Sequence, residues 1–111
     1  MRDGRYVCPV ELTLDVIGGK WKPLILWELR AGPRRFNALQ HALPGITHKM
    51  LSQQLRNLER AGVVSRREIP GRVRHVEYTM SEFGRTLRPV LNALAGWAKA
   101  HHQEVGATLD W

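Results

Sequence analysis

The sequence predicts a mainly α-helical fold with a small β-hairpin, and three observations lead there. A stretch with one apolar seam at helical spacing runs from Thr47 to Gly62. Shorter segments of helical pattern precede it, separated by breaks that contain Gly and Pro. Directly after it the apolar period changes from helical to alternating, on either side of a Pro-Gly turn. A chain of 111 residues is expected to form one domain over 1–111, with a modest core that removes about two-thirds of the unfolded surface from water.

Taken in order, residues 9–17 (PVELTLDVI) form the first expected helix, with Pro9 placed where a missing N–H costs nothing and Gly18-Gly19 as its stop. A second helix is expected from Lys20 to Ala31. Leu24, Trp27 and one or both of Ile25 and Leu26 repeat at helical spacing, Pro23 falls in the first turn, and Gly32-Pro33 ends it. Trp21 and Trp27 read as core or core-edge anchors. A third helix at about Arg35 to Ala42 carries Phe36, Leu39 and Leu43 on one side and is too short to stand alone. The link Leu43-Pro44-Gly45-Ile46 then leads into the Thr47 helix, so two helices meet at a tight Gly-containing turn, the layout of a helix-turn-helix.

The Thr47 helix has two different faces. Leu51, Leu55 and Leu58 form a narrow stripe that belongs to a core. Lys49, Ser52, Gln53, Arg56 and Arg60 cluster opposite, with Glu59 only toward the flank. Thr47 is placed to cap the first turn, and Gly62 suits the left-handed position that ends a helix. In isolation such a helix is an amphipathic surface helix with a solvated basic face. Its context adds a second partner for that face, a polyanion.

After Gly62, VVSRREI, a Pro70-Gly71-Arg72 turn and VRHVEYT read as a hairpin, with Val73, His75 and Glu77 on one face and Arg74, Val76 and Tyr78 on the other. Arg66, Arg67, Arg72 and Arg74 crowd toward its tip. Ser81 caps a last helix reaching roughly Glu104, which Pro89 kinks or splits near Leu87. Its stripe of Phe83, Leu87, Val90, Leu91, Leu94 and Trp97 exceeds what the remaining elements need for a core. The expectation is a dimer interface, with residues 81–104 as its main helical region and the first helix as a second contributor; an ordinary core role is the alternative. Together these elements predict a winged helix-turn-helix with flanking dimerisation helices.

Charge points the same way. Residues 34–79 carry nine Lys/Arg against three acids, whereas residues 1–33 carry five against four and residues 80–111 three against three. A surplus gathered around one helix and one hairpin suits double-stranded DNA better than a diffusely basic surface would. The Thr47 helix would enter the major groove, with Thr47, His48, Lys49, Ser52, Gln53 and Arg56 as contact candidates. Arg35, Arg67, Arg72 and Arg74 would reach phosphates or the adjoining minor groove from the wing and its flanks. A winged-helix module for protein partners or structured RNA, without operator specificity, is the alternative; the basic centre disfavours the first, and the lack of paired aromatics on a strand disfavours base stacking.

Several classes are not supported. No glycine-rich phosphate loop, metal-ligand cluster, cofactor motif or nucleophile-base pair is present, so catalysis, a metal and a cofactor are not expected. The apolar runs are too short to span a membrane and no secretory apolar region opens the chain, which leads to the expectation of a cytoplasmic protein. No pattern indicates a small-molecule effector.

The stretches CPVELTLDVIGGKWKPLILWEL, GPRRFNALQHALPGITHKMLSQQLRNLERAGVVSR and VEYTMSEFGRTLRPVL resemble HxlR-type bacterial transcriptional regulators, relatives of the MarR group, across nearly the whole chain. The resemblance implies a homodimeric winged helix on pseudo-palindromic operator DNA, acting as repressor or activator. It implies that the segment from Thr47 to Arg60 is the recognition helix and that from Ile69 to His75 the wing tip. Family wings often carry a proline-rich tip before the Val-Glu-Tyr strand; here Arg72-Val73-Arg74-His75 stands there, a more cationic tip. Cys8, the one cysteine, matches the family's Cys-Pro motif. In some similar members this thiol senses oxidants or electrophiles by intersubunit disulfide formation or alkylation, and in others it has no such role, so Cys8 is a candidate redox sensor or a packing residue.

Overall fold

The computed structural model describes residues 4–110. Its helices and strands follow in the order α1 (Pro9–Ile17), α2 (Trp21–Leu29), β1 (Arg34–Arg35), α3 (Phe36–Ala42), α4 (His48–Arg60), β2 (Val64–Ile69), β3 (His75–Met80) and α5 (Arg88–His101), with a 3-10 turn at Gly84–Leu87 before α5. This is a winged helix-turn-helix: five helices and a three-stranded antiparallel sheet in the order β1-β3-β2. Among the described residues no helix is long and apolar enough to cross a membrane.

The core is one contiguous cluster that draws on every helix and on both long strands. Leu51, Leu55 and Leu58 of α4 lie at its centre, at most 1% exposed, each worth roughly 1.5–3 kcal/mol of burial. Both ends of α4 are closed locally. Thr47 Oγ1 accepts a hydrogen bond from the Met50 N–H at 3.1 Å. At the other end the Gly62 N–H donates to Glu59 O (2.9 Å) and the Val63 N–H to Leu58 O (3.1 Å), with Gly62 at φ +79°. This paired closure needs a left-handed residue, and glycine takes that conformation without a Cβ penalty. Val63, just beyond, is fully buried and seals the end against the core.

Some expectations require correction. In α2 the buried residues are Ile25, Leu26 and Leu29, while Leu24 is exposed; Trp21 and Trp27 pack at the core edge, as expected. Apolar side chains occur all around this helix, so their spacing could not select the buried face; packing against α4 and β3 selected it. The strand β1 has no counterpart among the expected elements. It has two residues, too few for a period, and exists because the β3 edge offers partners, with Arg34 opposite Tyr78 and Arg35 opposite Glu77. In the hairpin β2 and β3 pair from Val64 with Met80 to Ile69 with His75. The tip is therefore residues 70–74, longer than the Pro70-Gly71-Arg72 turn expected, and Val73 belongs to it instead of to a strand.

The expected split of the last helix is present. Ser81 caps the 3-10 turn, its Oγ accepting from the Gly84 N–H at 2.8 Å, and α5 begins at Arg88 with Pro89 in its first turn, where no N–H is missed. The proposed interface stripe divides here. Leu91 is 3% exposed and belongs to this chain's own core, with Leu87 and Val90 packed against it. Phe83, Leu94 and Trp97 are exposed at 63, 55 and 58%. The stripe thus serves two ends: its middle, from Leu87 to Leu91, packs on the winged body, while Phe83 before it and Leu94 and Trp97 after it do not. The terminal helices α1 and α5 contribute only Ile17 and Leu91 to the buried set. The radius of gyration, 15.2 Å, exceeds the ~13 Å of a compact chain of this length.

Thr47→Ala removes the cap of α4 and should lower unfolding stability by about 1 kcal/mol, read from chemical denaturation, with the helical circular-dichroism signal of the native protein retained. A loss below about 0.3 kcal/mol would mean that solvent replaces the hydroxyl.

Candidate nucleic-acid interface

With three leucines turned inward, helical geometry sends Lys49, Gln53, Arg56 and Arg60 outward, and all four are exposed. Together with Asn57 they line one shallow depression along α4, and none of its lining residues is acidic. Arg60 Nη1 donates to Asn57 Oδ1 at 3.2 Å, holding that guanidinium beside the amide. Ser52 is half-buried. Arg60 belongs to the cationic face expected from the sequence, though not to the contact residues named there, and Asn57 is an addition to that face. Their signal was in the sequence, since Arg60 continues the stripe of Lys49, Gln53 and Arg56 and Asn57 borders it.

At the start of α4 two expected contact residues have structural work as well. The hydroxyl oxygen of Thr47 is engaged in the cap, so its own O–H remains to be donated to a phosphate. The His48 ring is exposed and lies 4.5 Å, centroid to centroid, from Phe36, whose ring is in turn 6.4 Å from Tyr78. Phe36 opens α3, His48 opens α4 and Tyr78 lies on β3. This aromatic series joins the first turns of both helices of the helix-turn-helix to the sheet, at separations where ring pairs attract.

The arginines of the sheet fall into separate sets. Arg34 is tied to Glu28 of α2 at 3.1 Å. Arg35 and Arg67 are exposed and stand in register on either side of Glu77, on the face away from Tyr78. His75 Nε2 lies 3.1 Å from Glu77 Oε2, so the central carboxylate of this cationic face is already engaged. Arg72 and Arg74 occupy the exposed tip on both sides of Val73, which is 73% exposed. Two cationic surfaces result, the outer face of α4 and the wing.

Away from them, Cys8 is exposed, carries a free thiol and precedes the first residue of α1. Val10 and Leu14 of α1 are exposed nearby in sequence. On α5, Pro89, Val90, Ala93, Leu94 and Trp97 line an open, mostly apolar trough. Among the described residues no group of His, Cys, Asp or Glu is arranged to hold a metal ion.

Comparison with known proteins gives this arrangement relatives. The model of the HxlR-like helix-turn-helix family matches residues 16–105. The chain is 46% identical over 101 residues to the uncharacterized HTH-type transcriptional regulator YdeP of Bacillus subtilis (strain 168), covering 88% of this chain and 77% of the relative. Among solved structures it is similar to the redox regulator HypR in its reduced form, with a TM-score of 0.85 at 40% identity, over 91% of this chain and 100% of the other. HypR in its oxidized form superposes with a TM-score of 0.80 at 45% identity, over 84 and 96%. Diamide-treated YodB from B. subtilis gives a TM-score of 0.71 at 33% identity, over 86 and 96%.

Proposed function

Because the chain belongs to the HxlR-like helix-turn-helix family of transcriptional regulators, we propose that it works as a homodimer on a pseudo-palindromic operator in double-stranded DNA, with Cys8 as a redox-responsive site. The observation that carries this reading is the outer face of α4, where Lys49, Gln53, Arg56 and Arg60 stand exposed opposite a fully buried leucine seam. A helix held that way presents amide and guanidinium donors to the base edges of the major groove, which is about 12 Å wide and admits an α-helix. Arg72 and Arg74 at the wing tip meet phosphates or the minor groove of the same duplex, and Arg35 and Arg67 supply further positive charge from the flank.

Dimerisation is supported by the apolar trough of α5 with Leu94 and Trp97 and by exposed Phe83. Two copies place their recognition helices on successive turns of one duplex face, about 34 Å apart. The redox reading rests on exposed Cys8 and on the similarity to regulators named for, or captured in, redox states. With one cysteine per chain, a disulfide joins two chains or joins one chain to a small thiol. Direct joining needs the two Cα atoms within about 7 Å.

Selection of bound duplexes from a random pool, followed by titration of the selected site against single-stranded DNA and duplex RNA at several salt concentrations, tests the core of this reading. A pseudo-palindromic consensus is expected, with affinity for the selected duplex well above that for the other nucleic acids. Equal affinity for all of them would overturn it.

The roles should divide by element. Gln53→Ala and Arg56→Ala should relax base preference, a good bidentate pair discriminating by ~1–3 kcal/mol. Arg72→Ala and Arg74→Ala should weaken all duplexes alike and make the salt slope shallower by about one unit for each phosphate no longer neutralised. Leu94→Ser combined with Trp97→Ser should yield a monomer in sedimentation at micromolar concentration, with weakened binding to the selected site. For the thiol, diamide should convert the native protein to a covalent dimer on a non-reducing gel or, with a small thiol added, to a mixed disulfide seen as added mass, and change its affinity several-fold, while Cys8→Ser stays unchanged in these respects. Equal affinities with and without diamide would overturn the redox role of Cys8.

A further inference from the structure

We infer that Ser81 and Gly84 are positioning residues for operator recognition, a clamp that registers α5 against the end of the recognition helix α4 and so sets how the two recognition helices of a dimer are spaced. The inference rests on the dimeric operator reading above.

The chain leaves α4 through Gly62 and Val63, makes the wing and returns at Ser81. There it is bonded back to the point it left. The Ser81 N–H donates to Val63 O at 3.0 Å, and Ser81 Oγ donates to Gly62 O at 2.6 Å. The same hydroxyl accepts from the Gly84 N–H at 2.8 Å. One side chain therefore joins the residue that closes α4 to the 3-10 turn that leads into α5. Gly84 makes the contact tight. It is buried, and a Cβ built on it would lie 2.0 Å from Val63 O and 2.8 Å from Val63 C. Its φ is not in the left-handed region, so glycine is required here for room and not for backbone conformation. A second tie lies one turn further on, where Arg88 Nη2 donates to Arg30 O at 3.2 Å, just beyond the end of α2.

Beyond these ties α5 runs out to Leu94 and Trp97, which are exposed. A small change of angle at the clamp is magnified along that helix and again across a two-fold axis. Each recognition helix would keep its own face and its own half-site, while the distance between the two would lose definition. A residue that only stabilised the fold would affect a half-site and a full site alike.

The experiment compares the native protein with Ser81→Ala, Gly84→Ala and the hydroxyl-retaining Ser81→Thr, on the selected full-site duplex and on a duplex with one half-site. In Ser81→Ala and Gly84→Ala the full-site affinity should fall ten-fold or more while half-site affinity stays within two-fold and sedimentation still shows a dimer. Ser81→Thr should keep the native ratio. In free protein, spin labels at Arg60→Cys on a Cys8→Ser background should give a broader or shifted distance distribution once Ser81→Ala is added. Should Gly84→Ala fail to fold, the Ser81 pair decides. Equal losses on full-site and half-site duplexes, an unchanged affinity ratio, or superimposable distance distributions would overturn the clamp. Native protein that itself gains nothing from a second half-site would instead refute the dimeric operator reading, a result the native control gives separately.

Discussion

Leu51, Leu55 and Leu58 leave α4 no freedom to turn about its axis. With all three fully buried, a rotation of one residue's worth, about 100°, would expose apolar surface worth several kcal/mol and drive Arg56 and Glu59 toward a core that holds no buried polar side chain among the described residues. The exposed basic face is fixed because the opposite face is committed. The hydroxyl of Thr47 and the Gly62 closure fix where that helix begins and ends, so its outward side chains occupy set heights along the axis as well as set angles.

The surrounding elements repeat this division between anchoring and presenting. Phe36 joins the first turn of α4 to α3 and the sheet through ring contacts, and the three-stranded sheet gives the wing a rigid base whose charge is carried at the tip and on the outer face. Within α5 the division runs along one helix, with Leu91 anchored in the core and Leu94 and Trp97 presented. The Ser81 and Gly84 contacts lie ahead of both, at the place where the exit of α4 and the approach to α5 touch backbone to backbone. Under the proposed reading of two half-sites, base-contacting groups need a rigid helix, which the leucine seam would supply, and two such helices need a fixed relation, which the contacts of Ser81 and Gly84 would set.

Cys8 belongs to a different regime. It lies at the edge of a helix that gives only Ile17 to the core, and it is exposed. Segments with so few buried contacts open and move at low cost. Under the proposed redox role, a disulfide at that thiol would pull on α1 without first unfolding the winged body.

What the sequence by itself determined is what depends on near neighbours in the chain. The extent and two faces of α4, its cap and closing glycine, the hairpin, the break before α5 and the concentration of positive charge all follow from spacings of a few residues, and all are present. Tertiary structure decided what depends on partners far away in sequence. The buried side of α2 could not be chosen from its own pattern, because apolar residues surround it; α4 and β3 chose it. The strand β1 has no pattern of its own and arises only when the β3 edge is beside it. The stripe of α5 is continuous in sequence, yet Leu91 is core and Leu94 is surface, because the winged body reaches only so far along the helix. The tie between Ser81 and Gly62 spans nineteen residues, and hydrogen bonds over such a separation exist only after the wing has folded back to bring their partners together.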